Sequence, residues 1–330
     1  MKILITGGLG FVGRHFALHF LQSEDNEVHI VDNMYSGLPV DRWYMQPRYP
    51  ERLTVIQDDL RNWIKNKRNI PSNFDLIVHC AAIVGGRLMI DGDPLAVATD
   101  LSIDSEFFNW AVRGKFLPKV IYFSSSAVYP LELQTRTMNV DLNESLVTFD
   151  SLRISKPDMT YGWSKLSGEY LAKFAVEKYG LDVQIYRPFG GYGEDQDFSY
   201  PFPSIIRRVL REENPVAVWG SGDQERDFIH IDDIVNAVVQ TMNVLAPGEV
   251  LNLGTGRGVS FKFLAGAACR ILDRPAEVVN DATKPEGVFR RVADPYKLDQ
   301  YYEPKIWLEQ GILRVAEHLK KVLDPSQAIA

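Results

Sequence analysis

Short apolar runs alternate with amphipathic stretches over the first 125 residues, and this alternation constrains the fold more than any other feature of the sequence. The runs are KILIT (2–6), EVHIVD (27–32), LTVIQ (53–57), DLIVHC (75–80) and KVIYFSS (119–125). Strand-length apolar runs separated by helical stretches are typical of βαβ units, whose parallel strands are covered by helices on both faces. The sequence therefore predicts an α/β, Rossmann-type doubly wound parallel sheet, with its first helix over about 11–22.

The alternation continues to residue 187 and then changes character. A helix is predicted around 160–179 and a strand at 182–187, whereas 188–228 is rich in Gly, Pro, aromatic and acidic residues. Long irregular segments in compact enzymes usually form lids or substrate walls. Helices are also predicted at about 232–244, 260–271 and 311–322. We expect a Rossmann domain over 1–187, to which the strand and helix around 226–252 return, and a smaller, mainly substrate-binding α/β domain over 188–330.

The segment TGGLGFVG (6–13) lies directly after the first predicted strand and opens the first predicted helix. Gly7 and Gly10 permit a tight turn and close approach of backbone N–H groups to a pyrophosphate, and Gly13 lets the helix pack on the strand. Asp32 ends the second strand about twenty positions on, where a carboxylate binds the ribose hydroxyls and repels the extra phosphate of NADP. The pattern predicts an NAD site.

Asp59 follows the third predicted strand, and two interpretations of it stay open. Its carboxylate could bind the adenine of the cofactor. It could equally cap the helix that begins at this position.

Tyr161 and Lys165 lie four residues apart in YGWSK on a predicted helix, so both side chains project from one face. A neighbouring ammonium favours phenolate over phenol and brings the tyrosine pKa, ordinarily about 10, towards the range of a general base. The fifth strand ends in the hydroxyl-rich SSSAVY (124–129), at the sheet edge where open α/β folds bind ligands. A serine there can orient both a substrate hydroxyl and the tyrosine.

With these residues the sequence resembles the extended short-chain dehydrogenase/reductase family, in its NAD-dependent sugar-nucleotide epimerase/dehydratase branch. The resemblance covers nearly the whole chain. It is carried by TGGLGFVG (6–13), VDN (31–33), DDL (58–60), HCAA (79–82), SSSAVYP (124–130), YGWSK (161–165), RPFGGYG (187–193), VWGSG (218–222), RDFIHIDD (226–233) and PEGVFRRVAD (285–294). It implies bound NAD and a nucleotide-diphosphate sugar substrate, with Tyr161 as base, Lys165 as its modulator and ribose anchor, and Ser125 as the hydroxyl partner.

The resemblance also implies further binding residues. For the cofactor these are Phe11, Val12, Asn33, Leu60, Ala81 and Ala82, and for the substrate Gly86, Arg87, Trp219, Arg226 and Arg290. The two arginines would clamp the diphosphate, because guanidinium donors address phosphate oxygens in pairs; Arg291 is the alternative to Arg290. The chain departs from the family at Gly190 and Asp100, where asparagine is usual.

The two residues before Val128 indicate which type of reaction is expected. Members that this chain resembles carry Asp-Glu at 126 and 127 in 4,6-dehydratases, Glu at 127 in decarboxylases and Cys at 127 in 3,5-epimerases, whereas this chain has Ser126 and Ala127. A methyl group neither donates nor accepts a proton, which leaves Ser126 as the polar side chain beside Ser125. The expectation is an NAD-dependent 4-epimerase that acts on an NDP-hexose through a transient 4-keto sugar.

Three alternatives stay open. They are an NDP-4-keto-sugar reductase, another NDP-sugar enzyme (a 3,5-epimerase or a 4,6-dehydratase), and a catalytically silent NAD-binding scaffold, since a fold alone does not establish activity.

The composition limits which binding partners and which cellular compartment are expected. A net charge of −7 opposes a nucleic-acid-binding surface, and no apolar stretch approaches membrane-spanning length. Two cysteines give no disulfide framework, which favours a cytoplasmic location. His15 and His19 have a zinc-binding spacing but no third ligand, so no metal is expected. The segments IVGG (83–86), SSSAVYP and PEGVFRR resemble those of GDP-sugar enzymes, which weakly favours GDP over UDP as the nucleotide of the substrate. A homodimer that pairs through the helices near 93–113 and 157–179 is also expected.

Overall fold

The computed structural model describes residues 1–85, 90, 92–149 and 154–323, and the predicted sheet lies at its centre. The strands are β1 (Lys2–Thr6), β2 (Glu27–Asp32), β3 (Leu53–Gln57), β4 (Leu76–His79), β5 (Lys119–Phe123), β6 (Asp182–Pro188), β7 (Gly190–Tyr192), β8 (Val216–Trp219), β9 (Glu225–His230), β10 (Val250–Leu253), β11 (Gly258–Ser260), β12 (Val278–Asp281) and β13 (Arg290–Arg291). Seven of them form one parallel sheet in the order β10-β6-β5-β4-β1-β2-β3. The predicted fold class is confirmed.

Helices cover both faces of this sheet. The helices are α1 (Phe11–Phe20), α2 (Leu60–Trp63), α3 (Pro94–Val97), α4 (Asp100–Ala111), α5 (Met159–Tyr179), α6 (Pro201–Leu210), α7 (Ile231–Thr241), α8 (Phe261–Ile271), α9 (Tyr296–Asp299) and α10 (Leu308–Leu323). Successive β1 side chains alternate between the faces: Ile3 and Ile5 pack with α1 and α7, and Leu4 packs with α2, α4 and α5. The near-continuous apolar character of the strands follows from this two-sided burial.

The order of the strands reverses at β1, which pairs with β2 on one side and β4 on the other. A crevice forms outside the carboxyl ends of parallel strands at such a switch point, and open α/β folds bind their ligands there. The glycine-rich segment, the end of β4 and the serines after β5 all lie at this edge.

The remaining strands build a smaller α/β layer. β9 pairs with β7, β11 and β13, β8 pairs with β12, and α6, α8 and α10 share an apolar cluster. The strand at 225–230 belongs to this layer, whereas α7 and β10 return to the main sheet. The segment 188–228, expected to be irregular, contains β7, α6, β8 and the first residues of β9.

Helix α6 forms inside that segment because of its own local pattern. Pro201 occupies its first turn, and Phe202, Ile205, Ile206 and Val209 are buried at helical spacing. The abundance of Gly, Pro and aromatic residues around it obscured a ten-residue amphipathic pattern.

Cys80 and Cys269 are both free thiols. Across the described ranges no helix has the length and apolarity that crossing a membrane requires. The same residues contain no cluster of three or more His, Cys, Asp or Glu side chains suited to a metal ion.

Candidate active site

The glycine-rich loop has a backbone that only glycine fits. Gly7 adopts φ +69°, and a Cβ there would lie 2.7 Å from the Ala81 backbone nitrogen. A Cβ on Gly13 would overlap the Gly7 carbonyl and approach the Gly8 Cα to 2.7 Å. Helix α1 begins directly after Gly10, and no described side chain caps it, so its first N–H groups are available to an anion. These features fit the pyrophosphate of NAD.

Asp32 is placed at the end of β2 beside this loop and is 8% exposed. Its Oδ2 accepts from the Leu9 backbone N–H at 3.0 Å, and its Oδ1 accepts from that of Met34 at 2.7 Å. Each oxygen keeps capacity for a further donor, as ribose hydroxyls would supply. Asn33 is exposed and its Oδ1 accepts from the Tyr35 N–H.

Asp59 caps α2. Its Oδ1 accepts from the Arg61 backbone N–H at 2.9 Å, and its Oδ2 pairs with the Arg61 guanidinium at 2.7 Å. The hydrogen bonds from Arg61 hold the pKa of Asp59 below its ordinary value. Of the two interpretations of Asp59, the structure shows the cap, and a contact with adenine stays a prediction.

The other predicted cofactor residues surround the same crevice. Phe11 and Val12 form the first turn of α1, Leu60 is buried at the start of α2, and Ala81 and Ala82 follow β4. Gly86 and Arg87, predicted to bind substrate, lie outside the described residues.

Ser125, Tyr161 and Lys165 are brought together by β5 and α5. Ser125 begins the turn after β5, where its Oγ accepts from the Ala127 N–H at 3.1 Å, and its hydroxyl is near enough to the Tyr161 phenol to lower the pKa of that group. Tyr161 lies in the first turn of α5, with Lys165 one turn later and 2% exposed. A hydroxyl, a phenol and an ammonium in this arrangement can move a proton to or from a substrate oxygen.

The electrostatics of this trio differ from the sequence expectation. Burial raises the pKa of Tyr161 above its ordinary value, although the Lys165 charge and the Ser125 hydroxyl act in the opposite direction. Burial alone would lower the pKa of Lys165, but the carboxylates of Asp104 and Asp100 reverse this and raise it. Lys165 therefore stays an ammonium at the centre of the site.

Asp104, on α4, is a site residue that the sequence reasoning missed. Its carboxylate contacts the His79 Nε2 at 3.1 Å and accepts from the Tyr122 hydroxyl at 2.5 Å, and all three side chains are buried. Two strand residues and one helix residue from separate segments meet here, and their spacing in the sequence carries no pattern. An acidic residue inside the apolar face of a predicted helix was the available signal.

Asp100, one of the two departures from the family, is fully buried at the start of α4. Its Oδ1 accepts from the Ile83 N–H at 2.6 Å, whereas its Oδ2 has no hydrogen-bond partner in the described part of the chain. Burial raises the pKa of Asp100 from 3.8 to about 7, against the opposing effect of Lys165. The carboxyl thus changes charge near neutral pH.

The variant Asp100→Asn should remove a pH dependence of stability. A carboxyl with a raised pKa binds its proton more tightly when folded, so the free energy of unfolding falls by up to about 1.4 kcal/mol per pH unit between the unfolded and folded pKa values. That loss is complete above the folded pKa of about 7. Urea unfolding at pH 5 and pH 8 should show a smaller decrease for Asp100→Asn than for the wild type. Equal decreases in the two proteins would contradict the assignment.

A cavity opens beside the serines, between the Rossmann sheet and the smaller layer. Its walls are Ser126, Phe189, Gly190, Gly191, Gln196, Tyr200, Pro201, Phe202, Arg226, Phe228 and Arg291. Tyr200 is close enough to Tyr161 for the charge of the Tyr161 phenolate to raise the pKa of Tyr200. The cavity therefore adjoins the Ser125, Tyr161 and Lys165 trio and has the place of a substrate site.

Of the three predicted arginines, Arg226 and Arg291 line the cavity and Arg290 does not. Adjacent residues of a strand point to opposite faces, and in β13 the Arg290 guanidinium bonds Asp141 at 2.6 Å and Glu225 at 3.2 Å. Arg291, the alternative, is therefore the member of this pair that faces the cavity. Trp219 ends β8 outside the walls of this cavity, with the Lys284 ammonium 5.9 Å from its ring.

Gly190 occupies a position where the family usually has asparagine, and the backbone geometry explains the glycine. A Cβ at this position would lie 2.6 Å from the Asp227 carbonyl oxygen, because β7 approaches β9 closely there. Any side chain at 190 would require the strands to separate.

Similarity to known proteins identifies the family of the chain. The family model described as the NAD dependent epimerase/dehydratase family matches residues 3–254. The chain belongs to this family. The predicted enzyme class and NAD as cofactor are thereby confirmed.

Individual members of the epimerase/dehydratase family resemble the chain over nearly its whole length. A GDP-L-fucose synthase of Sinorhizobium fredii is 25% identical over 326 residues, 96% of this chain and 94% of that protein. The UDP-glucuronic acid 4-epimerase of Bacillus cereus, solved with UDP-glucuronic acid and NAD, has a TM-score of 0.81 and 25% identity over 98% of this chain and all of that one. A UDP-N-acetylglucosamine 4-epimerase of Methanobrevibacter ruminantium has a TM-score of 0.76 and 26% identity over 99% and 98%.

Proposed function

We propose that this protein is an NAD-dependent 4-epimerase of a nucleotide-diphosphate hexose. The observation that carries the proposal is the clustering of Ser125, Tyr161 and Lys165 beside a cavity lined by Ser126, with Ser126 and Ala127 at the two positions where other reactions require acid/base residues. With these groups, the chemistry available is oxidation and re-reduction at one carbon. Family members named as 4-epimerases over the full chain length support the same reaction.

In this mechanism Tyr161 removes the proton of the C4 hydroxyl while Ser125 orients that hydroxyl by hydrogen bonding. Lys165, held as an ammonium by Asp104 and Asp100, stabilises the phenolate of Tyr161 that the step requires. The glycine-rich loop and Asp32 would hold NAD, which when bound would accept the hydride from C4 to leave a 4-keto sugar and would return that hydride to C4. Rotation of the 4-keto sugar in the cavity presents its other face, and Tyr161 returns the proton to the oxygen.

Arg226 and Arg291 are proposed to bind the substrate diphosphate. Both line the cavity, and Arg291 is fixed by bonds to the Gln134 amide oxygen at 2.6 Å and the Asp158 carboxylate at 2.8 Å. A preformed guanidinium loses less entropy on binding phosphate. We propose GDP rather than UDP as the nucleotide of the substrate, because one relative is named as a GDP-L-fucose synthase. The 4-epimerases described above are named for UDP-sugars.

Incubation with GDP- and UDP-hexoses in D2O, without added reductant, tests the reaction. We expect conversion to the C4 epimer, followed by NMR, with no deuterium incorporated into the sugar. Deuterium at C3, C5 or C6 would contradict a simple 4-epimerase, and turnover only of a 4-keto sugar with added NADH would make the protein a reductase. The faster of the two nucleotide series decides between GDP and UDP.

We further propose a homodimer that pairs the exposed face of α5 with that of a second copy. Trp163, Tyr170 and Phe174 lie on one side of this helix and are 42%, 44% and 37% exposed, and Leu101 on the neighbouring α4 is 43% exposed. An aromatic patch of this kind on helices marks an interaction surface.

The variant Trp163→Glu should convert the dimer to a monomer. A carboxylate placed in the patch would be desolvated on association without a partner, which costs several kcal/mol. Analytical ultracentrifugation measures the change. Phe116→Glu, at a 71% exposed aromatic outside α4 and α5, is the matched control and should leave the dimer intact. A monomeric wild type, or a Trp163→Glu variant that stays dimeric, would overturn the assignment of this face.

A further inference from the structure

A single carboxylate joins the glycine-rich loop to the wall of the substrate cavity. Asp195 follows β7 and is buried against α1, where its Oδ2 accepts from the Arg14 Nε at 2.6 Å and its Oδ1 contacts the His15 Nε2 at 2.8 Å. Its backbone carbonyl accepts from the Arg14 Nη2 at 2.7 Å. Arg14 therefore binds both the side chain and the main chain of residue 195.

The α1 side of this contact belongs to the cofactor site. Arg14 and His15 come directly after Gly13, and the Arg14 Nη1 also reaches the Leu9 carbonyl, inside the glycine-rich loop, at 3.4 Å. The Leu9 N–H in turn donates to Asp32, the proposed ribose ligand. A chain of hydrogen bonds thus runs from Asp195 through Arg14 and Leu9 to Asp32.

The other side of the contact belongs to the substrate cavity. Gln196, the next residue, lines the cavity and donates to the Gly191 carbonyl at 2.8 Å. Gly193 lies over the first turn of α1, because a Cβ there would be 3.1 Å from the Phe11 ring. Gly193 consequently covers the start of α1 and Gln196 forms part of the cavity wall, with Asp195 between them.

We propose that Asp195 is a positioning residue that latches the segment 193–196 onto α1 and thereby retains bound NAD between turnovers. This inference rests on the proposed function, since an epimerase returns its cofactor to the starting state in each cycle and has no need to release it. The hydrogen bond from His15 and the charge of Arg14 hold the pKa of the Asp195 carboxyl well below its ordinary range, so the carboxylate is charged at physiological pH. Arg14 and His15 are 3% and 7% exposed at their side chains, which protects the contact from screening by salt.

The variant Asp195→Asn tests the latch, because it keeps the shape of the side chain and removes its charge. Stopped-flow mixing of the NADH-loaded protein with excess NAD, followed by NADH fluorescence, measures the dissociation rate without reference to epimerase activity. We expect dissociation to be 10- to 100-fold faster than in the wild type, about 1.4 to 2.7 kcal/mol. Arg14→Lys, which keeps a positive charge but cannot bind carboxylate and carbonyl together, should change the rate in the same direction by less.

Glu194→Gln is the matched control. Glu194 is the preceding residue and is also inside the protein, but its carboxylate bonds Arg314 of α10 at 2.6 Å and His230 at 3.1 Å rather than α1. It should reduce thermal stability and leave the dissociation rate of NADH unchanged. A wild-type rate in Asp195→Asn, or equal acceleration in Glu194→Gln, would overturn the latch. Faster NADH release from Asp195→Asn in a protein that forms no C4 epimer would instead retain the latch and refute the proposed reaction.

Discussion

Tyr161→Phe should lower kcat/KM for epimerisation about 10³-fold, in the middle of the range that general acid–base catalysis contributes. Phenylalanine preserves the ring and removes only the hydroxyl, whose pKa the neighbouring Ser125 and Lys165 lower. Without it no group in the trio can take the proton, because Lys165 is already protonated and the Ser125 hydroxyl is far too weak a base. Initial rates on the preferred NDP-hexose, measured with saturating NAD, give the ratio.

Tyr179→Phe makes the same chemical change at the last residue of α5, where the ring is 61% exposed, and should leave kcat/KM unchanged. Unaltered melting temperature and NADH binding in Tyr161→Phe would confine its effect to the chemical step. If that variant kept more than about a tenth of wild-type kcat/KM, another base would have to be sought, with Tyr200 as the neighbouring candidate.

Local sequence pattern was sufficient for most of the Rossmann sheet. β1, β2 and β3 have the bounds of the apolar runs that predicted them, and α5 begins within one residue of its predicted start. These elements are buried on defined faces, so their periodicity is a direct consequence of packing. Tyr161, Lys165 and Ser125 could be chosen because a helical spacing and a strand end fix where their side chains point.

Contacts between distant segments could not be predicted in the same way. Arg14 and Asp195 are 181 positions apart, and nothing local to either residue indicates the pairing. The choice between Arg290 and Arg291 depended on which face of β13 meets the cavity, and a two-residue strand is too short to show an alternation. The contacts of Asp104 with residues such as His79 likewise form only when β4, β5 and α4 pack together, so the local sequence of neither residue predicts them.

Glu169→Ala should destabilise the protein by about 3–5 kcal/mol, because it leaves a buried guanidinium without its counter-ion. Arg187 and Glu169 are each 1% exposed and form a two-pronged pair, Nε to Oε1 at 2.8 Å and Nη2 to Oε2 at 2.7 Å. The Ser124 hydroxyl donates to the same Oε1 at 2.5 Å. The change in the free energy of unfolding, from urea titration, measures the effect. Glu177→Ala, at the exposed Lys173–Glu177 pair of the same helix, should cost no more than about 0.5 kcal/mol.

The double variant Glu169→Leu with Arg187→Met separates the cost of an unpaired charge from the value of the pair itself. Replacing both members of a buried ion pair by apolar side chains is often neutral, so the double variant should recover a large part of the stability lost in Glu169→Ala. Activity should recover less. The Glu169 carboxylate anchors Ser124, next to Ser125, and α5 carries Tyr161, so an apolar pair would restore the packing without fixing the serine turn. Equal recovery of stability and kcat/KM would show that the pair holds the fold alone and has no part in positioning the catalytic serine.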